Sequence, residues 1–373
     1  MGTEHAWAST PLDYAISPGE TVLELIEARG ISQSDLAERT GRPKKTINEI
    51  IKGKAAITPE TALQFERVLG VPASFFISLE QQYRATLARI AEREWLGTQV
   101  AWLKEIPVRA LVKAGWIPEH KDKVDQLEAA LRFFGVASPD AWRGVWGGVR
   151  GAIAFRQSPT FESDFAAVAA WLRRGEIEAL GVRCDPFNAS RFRGALDEAR
   201  KLTCEPPEVF CVELIRICAT AGVVIRFIPE LPKLRVCGAT RWLSPDKALI
   251  QLTLRYKTDD HLWFTFFHEA GHILLHGKRA VFVEGTRAAA AASDTATQED
   301  EANRFARDLL IPRDAYTTFL KRRDFREAAV RRFARELGIA PGIVVGRLEF
   351  DRWVPYSTKL NHLKRHFEWS FEE

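Results

Sequence analysis

Cysteine is scarce in this chain, and what there is carries no pattern. The 373 residues include 5 cysteines, Cys184, Cys204, Cys211, Cys218 and Cys237, with no CxxC pair among them. An odd set without that spacing argues against a disulfide framework and against a thiolate zinc site. The thiols are expected to be reduced and mostly buried. Long apolar runs are also missing. Nothing approaches the ~20 residues needed to cross a bilayer, which excludes a membrane-spanning protein. The N-terminus, MGTEHAWASTPLDYAISPGE, has no basic start followed by an apolar stretch, so no secretory signal is readable and the cytoplasm is the expected compartment. The third absence is an excess of one charge. A net charge of +4 with pI near 8.8 is only mildly basic for this length, so any nucleic-acid site has to be a local patch.

What is present suits a soluble globular protein, with 46% hydrophobic and 27% charged residues. The length exceeds one ordinary core, and three domains are expected, over 1–85, 86–203 and 204–373. The fold class is α+β and mostly helical: an N-terminal five-helix domain, a helical middle, and a C-terminal domain with a small antiparallel sheet.

The first ninety residues read as five short helices. Ser17, Pro18 and Glu20 mark a start and Gly30 a stop; Ser32 and Asp35 open the next helix, and Gly41 closes it. A third helix then carries Ile47, Ile50 and Ile51 at core spacing. Its outward face presents Lys44, Lys45, Asn48 and Lys52, flanked by Arg42 and Lys54, with Glu49 as the only acid. A helix, a short glycine turn and a second helix with a basic face form a helix-turn-helix, whose second helix enters a major groove. Lysines there would contact phosphates, and Asn48 could read a base edge; a solvated basic face is the plainer alternative.

The segment from Gly19 to Tyr83 resembles the XRE-type helix-turn-helix family, most closely its HigA-like antitoxin branch. SQSDLAERTG is similar to that family's second helix and turn, and TINEIIKGKAAITPETALQFERVLGVPASFF to its recognition helix, fourth helix and dimer-proximal end. The resemblance implies a homodimer on operator DNA, with Arg42, Lys44, Lys45, Thr46 and Asn48 facing the duplex.

The middle of the chain is rich in helical pattern and in tryptophan. Trp142 and Trp146 fall one turn apart and could stack on a ligand, but packing is the expected role of such a pair. Beyond Pro206 a helix, EVFCVELIRICATAG, precedes three β-like runs, VVIRFI, VCGATRWL and ALIQLTLRY. The last of these is expected at a sheet edge, where it would align an extended peptide. Cys211 and Cys218 on the helix are read as small core residues.

The stretch DDHLWFTFFHEAGHILLHGK then reads as a helix capped by Asp259 or Asp260 and ended by Gly277. His268 and His272 project from one face a turn apart, where two imidazoles can meet one Zn²⁺ at ~2.0–2.1 Å each. Glu269 sits on the adjacent edge. This is the HExxH pattern of zinc peptidases, in which the metal acidifies a water and the glutamate takes its proton. With 8 histidines in the chain, a chance match is expected roughly 1 time in 100, so the signal is specific. His276 lies ~12 Å along the axis from His268, too far to share the ion. It is read as a helix C-terminal residue that suits the dipole.

The third ligand is sought in TQEDEANRFARDLLIP, a helix with an apolar stripe of Ala302, Phe305, Ala306, Leu309 and Leu310. Glu299 lies roughly 50° from the centre of that stripe, Glu301 roughly 110° and Asp300 roughly 150°. Glu299 therefore points inward, where a carboxylate needs a reason such as a metal. Asn303, one turn on, could orient a ligand. Residues Gly238 to Pro312 resemble the ImmA/IrrE family of zinc metallopeptidases, on the motifs CGATRWL, ALIQLTLRY, FTFFHEAGHILLHGK and EDEANRFARDLLIP. The resemblance implies zinc on His268, His272 and Glu299, with Glu269 as general base and a repressor-like protein as substrate. Tyr256 and Arg241 are candidates for oxyanion help. Three functions emerge as expectations: a DNA-binding regulator with a zinc endopeptidase that cuts a repressor, a toxin partner or itself; a non-enzymatic antitoxin whose zinc domain is a sensor or scaffold; or a stand-alone peptidase whose basic N-terminal domain binds other proteins.

Overall fold

The computed structural model describes residues 15–154, 165–277, 282–285 and 293–369. It divides into two compact units, Met1–Val100 and Ala101–Glu373.

The first unit contains α1 (Pro18–Glu27), α2 (Gln33–Thr40), α3 (Lys44–Ile51), α4 (Pro59–Leu69) and α5 (Ala73–Gln99). Their ends are where the sequence punctuates them. Ser17 caps α1 by accepting from the Gly19 amide, Ser32 and Asp35 form a reciprocal capping box on α2, and Gly41 turns the chain at φ 68. Val22, Ile26, Leu36, Ile47, Ile50, Phe65 and Phe76 are sealed in one core. Gly19 has no room for a side chain, because a Cβ there would enter the backbone of Ile50 and Ile51. α1 and α3 therefore touch main chain to main chain. The fifth helix is not short: it runs for 27 residues and carries the end of this unit past the expected boundary at 85.

The second unit opens with four helices, α6 (Val108–Lys113), α7 (Lys123–Phe134), α8 (Pro139–Ala154) and α9 (Phe165–Leu180). Trp142 and Trp146 are buried here, with Trp142 edge-on to Trp102 and Phe134, as packing requires. These helices were expected to form a separate spacer, and instead they belong to the same unit as the sheet. The reason lies in α9, where every residue from Ala166 to Leu172 is buried. A helix without a wet face covers something, and this one covers a sheet. Trp171 donates from Nε1 to the Ile228 carbonyl at 3.1 Å, and Gln251 Nε2 donates to the Trp171 carbonyl at 2.6 Å.

After α10 (Ala189–Leu202) and α11 (Pro207–Ala219) come β1 (Val223–Phe227), β2 (Val236–Ser244) and β3 (Lys247–Leu252), then α12 (Asp259–Leu275) and β4 (Phe282–Gly285). The sheet order is β1-β3-β2-β4. β2 and β3 form an antiparallel hairpin, whereas β1 and β3 run parallel, with Val223 opposite Ala248. The sheet is therefore mixed, not antiparallel. The chain leaving β1 crosses two strand spacings, ~10 Å, before β2 begins, and the hairpin returns β3 into the gap. β3 is thus central, with both edges hydrogen-bonded, and cannot accept a peptide strand as expected; β4 is an outermost strand instead. Among the cysteines only Cys218 is buried and Cys204 is exposed, so "mostly buried" does not hold. Burial pushes the Cys218 and Cys211 thiols up, the latter to about 11, which keeps both protonated.

Four further helices follow, α13 (Ser293–Leu310), α14 (Arg313–Lys321), α15 (Glu327–Leu337) and α16 (Pro341–Phe350), of which α13 and α16 pack on α12. Thr258 holds the N-cap position of α12, and the two aspartates follow it in the first turn. Their carboxyls fill space left by Gly342 and Gly346 of α16. Lys364 bridges Asp260 at 2.8 Å and Glu349 at 2.6 Å. Among the described residues no helix is long and apolar enough to cross a membrane.

Burial, reinforced by the charge of Asp260, pushes the Asp259 carboxyl up to about 7 from its ordinary 3.8. The folded chain then holds a proton that the unfolded chain has lost between those two values, so stability falls as pH rises through that window. Asp259→Asn is expected to flatten the slope of unfolding free energy between pH 4 and 7, followed by urea titration. An unchanged slope would mean that other groups set it.

Candidate functional site

α12 is buried on nearly every side. Leu262, Trp263, Phe266, Phe267, Ala270 and Ile273 enter the main core, so the polar residues on the same helix are carried into a dry interior. His268 is 1% exposed, Glu269 0% and His272 1%. The two Nε2 atoms face each other at 3.0 Å. Glu299 reaches in from α13, with Oε2 3.3 Å from His268 Nε2 and Oε1 3.4 Å from His272 Nε2. One ligand atom from each residue lies within 4.8 Å of the others. α13 comes this close because Gly271 has no side chain: a Cβ there would stand 3.1 Å from Phe305 Cδ1 and 3.2 Å from Ala302 Cα.

The proton positions test whether a cation fits. His268 Nδ1 lies 3.1 Å from Asn303 Oδ1. That oxygen accepts, so Nδ1 holds the proton and Nε2 presents a lone pair. Burial pushes the His272 imidazole down to about 4, so it too is neutral. His272 Nδ1 is 2.9 Å from His276 Nδ1, and His276 Nε2 is 3.2 Å from Glu301 Oε2. A carboxylate oxygen on His276 Nε2 demands a proton there, which makes His276 Nδ1 an acceptor and leaves His272 Nδ1 as the donor. Both inward nitrogens are then bare. Two lone pairs and a carboxylate converging without a proton between them repel, unless a cation sits among them. A two-imidazole, one-carboxylate set suits Zn²⁺ better than the all-oxygen cations Mg²⁺ and Ca²⁺.

Two parts of this arrangement were not anticipated. His276 is not simply a helix end that suits the dipole; it joins His272 to Glu301, and Glu301 is more than a solvated acid. Gly238 on β2 is the other. A Cβ there would stand 3.0 Å from Glu269 Cγ and 3.2 Å from Glu269 Oε1, so the bare strand makes room for the glutamate. Thr240, two residues on, donates from Oγ1 to the Glu269 carbonyl at 3.1 Å. Gly238 lay within CGATRWL, but its partner is 31 positions away in the sequence, and local spacing does not reach that far.

The oxyanion candidates are placed elsewhere. Side chains alternate along a strand, and Gly238 and Thr240 face α12, so Arg241 faces the other side, where its Nη1 meets Glu176 of α9 at 3.3 Å. It is turned away from the histidines. Tyr256 stacks on His261 at 4.2 Å, and His261 lies ~10 Å of helix rise from His268.

In the first unit, Lys44, Lys45 and Asn48 stand exposed on α3 and Lys52 at its C-cap, with Glu49 3.9 Å from Lys45. Thr46 is half-buried. Arg42 precedes the helix and donates from Nε to Gln64 Oε1 at 2.7 Å, so it is held against α4 and not presented with the lysines.

Since His276 sets the proton on His272, His276→Ala is expected to weaken zinc binding by about 10–100-fold, and Glu301→Gln to act in the same direction. Competition with a chromophoric chelator measures this. Wild-type affinity in both variants would reduce the pair to packing.

The helix-turn-helix family matches residues 22–76, and the IrrE N-terminal-like domain family, a peptidase family, matches residues 243–349. A search of curated proteins gives no match. Among solved structures, an addiction module antidote protein of a HigA family from Coxiella burnetii is 26% identical. It covers 23% of this chain and 94% of its own, with a TM-score of 0.21. The two matched segments fall on the two structural units and enclose, respectively, the basic face of α3 and the His-His-Glu group. The chain joins an XRE-type helix-turn-helix domain at its N-terminus to an IrrE/ImmA-like, metallopeptidase-like domain at its C-terminus.

Proposed function

We propose that this protein is a cytoplasmic DNA-binding transcription regulator whose C-terminal domain is a zinc-dependent endopeptidase, hydrolysing a peptide bond in a regulatory protein: a repressor, a toxin partner or the chain itself. The observation that carries the reading is the convergence of His268, His272 and Glu299, with Glu269 buried beside them. Three protein ligands leave a coordination position open, as catalytic zinc sites do and structural ones do not.

Bound zinc supplies a Lewis acid that polarises a carbonyl and acidifies water. The chain's own residues do the rest. Glu269 accepts a proton from the attacking water on its carboxylate and delivers it to the departing amine nitrogen. Thr240 fixes the Glu269 main chain, and Gly238 leaves the side chain its space. Asn303 and His276 keep the two imidazoles in the ligand tautomer. The surrounding core keeps bulk water from these groups. An extended substrate would pair with the outer side of β4, one strand from Gly238.

On the DNA side, Lys44, Lys45, Asn48 and Lys52 form the face that would enter the major groove, as a homodimer on two half-sites. Thr46 would contribute from the margin of that face, whereas Arg42 is bound to Gln64 of α4 and would not.

Metal analysis of the purified chain is expected to give close to one zinc per chain, lost in His268→Ala and Glu299→Gln. Glu269→Gln should keep the metal and lose cleavage of a co-expressed protein substrate; a fully active Glu269→Gln would remove the mechanism. With duplexes enriched from a random library, Lys44→Ala plus Lys45→Ala should lower affinity and reduce the salt slope by about 2. Wild-type affinity and slope would sink the assignment of α3.

A further inference from the structure

Residues 321–336, from the end of α14 through most of α15, carry seven basic side chains and three acidic ones. That net +4 equals the charge of the whole chain, so the remainder is neutral in sum. None of these groups belongs to the His-His-Glu site or to the basic face of α3.

Folding gathers these charges on one surface. Ala329, Val330, Phe333 and Ala334 mark the buried face of α15. At ~100° per residue, Arg331, Arg332 and Arg335 then share an outward arc ~100° wide, with Glu327 and Glu336 at its margins. Phe325, in the turn before α15, meets Trp353 beyond α16 at 5.7 Å between ring centroids, and His362 Nε2 lies 3.2 Å from Glu327 Oε2. These contacts bring the chain that follows α16, with Arg352, Trp353 and Tyr356, against the arginine-rich turn. Arg326 is already paired with Asp324 at 2.9 Å and Arg331 with Glu327 at 2.7 Å. Lys321, Arg322, Arg323, Arg332, Arg335 and Arg352 are all exposed, and among the described residues none of them has a carboxylate in ion-pair contact.

The backbone supplies an independent sign. α2, α4, α7 and α15 each end in a left-handed glycine, at Gly41, Gly70, Gly135 and Gly338. Beyond α14 and α16 the same conformation is taken by arginine instead, Arg323 at φ 47 and Arg352 at φ 61. A Cβ is disfavoured there, so local geometry alone would select glycine at both positions. What arginine adds is a charge at the surface. Attraction to the negative end of a helix dipole suits the cations that close α14 and α16, but it does not account for Arg326 at the start of α15 or for Arg331 and Arg332 in its middle.

The charge pattern selects the partner. An exposed arginine paired with a single carboxylate gains little against water and salt, so an acidic protein would have to match these side chains one at a time. A phosphodiester backbone presents a fixed row of anions and releases a condensed counterion as each is met. Six of the seven cations are arginines, whose planar fork takes two phosphate oxygens at once. Beside them Trp353 and Tyr356 are 41% and 63% exposed, rings of the kind on which a base can stack. We infer that this surface is a second contact to nucleic acid, which grips the phosphate backbone without reading sequence and belongs to the C-terminal domain independently of α3. It does not rest on the peptidase reading. Together with that reading, it would keep the domain on DNA, where DNA-bound regulators are the proteins within its reach.

The test titrates the full-length chain with a short duplex of arbitrary sequence, and with one of its strands, over a series of salt concentrations. With Lys44→Ala and Lys45→Ala in place, salt-dependent binding is expected to persist. Adding Arg322→Gln, Arg323→Gln, Arg332→Gln and Arg335→Gln should then weaken it by about tenfold or more and lower the slope of log affinity against log salt by about 3. Arginine-to-lysine changes at the same four positions should keep most of that slope. Arg323→Gly with Arg352→Gly guards against a folding artefact, since it removes two charges while relieving the left-handed backbone. Its thermal midpoint should hold or rise while the slope falls by about 2. Tighter binding of the strand than of the duplex, lost in Trp353→Ala, would identify single-stranded nucleic acid as the source of the backbone; the reverse order would identify the duplex. Unchanged affinity and slope in both the Gln and the Gly variants would overturn the inference. So would loss of all binding through Lys44→Ala and Lys45→Ala alone, which would leave α3 as the only contact. Displacement of the duplex by poly-glutamate as readily as by unlabelled duplex of equal charge would also overturn it, in favour of an acidic protein. Binding that ignores the lysine changes and vanishes with the arginine changes would keep this surface and sink the assignment of α3.

Discussion

Two lone pairs held 3.0 Å apart in a dry interior, with a carboxylate beside them, are the constraint around which the larger unit is organised. Left to themselves these groups would move apart or take up a proton. Burial opposes the proton, as the depressed His272 imidazole shows, and helix packing opposes the separation. Gly271 against Ala302 lets α12 and α13 close to the distance at which Glu299 and Asn303 reach the histidines from one side. Any side chain at 271 would push the third donor outward. A cation among the donors would make this crowding favourable, and the stability of the site would then depend on what it binds.

The rest of the unit holds α12 still. Its first turn is packed against α16 by two glycines and bridged by Lys364, and its middle is tied to β2 through Thr240. The sheet is in turn backed by α9, which is why the helical middle of the chain cannot be a detached spacer. A helix as apolar as 166–172 would expose its whole circumference without the sheet, at roughly 25 cal/mol for each Å² of apolar surface. The Trp171–Ile228 and Gln251–Trp171 hydrogen bonds add direction to an association that apolar burial already drives.

How much of this the sequence carries depends on the range of the interaction. His268 and His272 are one turn apart, and Glu299 is identified by its angle from an apolar stripe on its own helix. Both are local facts, and the structure brings those residues together as their spacing implies. The caps at Ser17 and Ser32 and the turn at Gly41 are local in the same way. Strand order is not local. ALIQLTLRY has the composition of a strand, but nothing in it says that a hairpin returns it to the centre of the sheet, or that Arg241 falls on the face away from the helix. Gly238 and Glu269, or His276 and Glu301, meet across 31 and 25 positions through a fold that periodicity does not describe. The middle region misled for a related reason, since helical pattern identifies α9 without saying what it covers.

The same geometry bears on the choice between an enzyme and a scaffold. A structural zinc site fills its fourth position with protein, and the group found among the described residues offers three donors. Glu269 is the next nearest acid on the helix, but it is displaced 100° around the axis from His268 and is housed by a glycine on the opposite strand. A ligand would need to approach the metal directly; a base needs only to reach a water on it. The arrangement therefore favours a site that holds something transiently, and the open position is where it would be held.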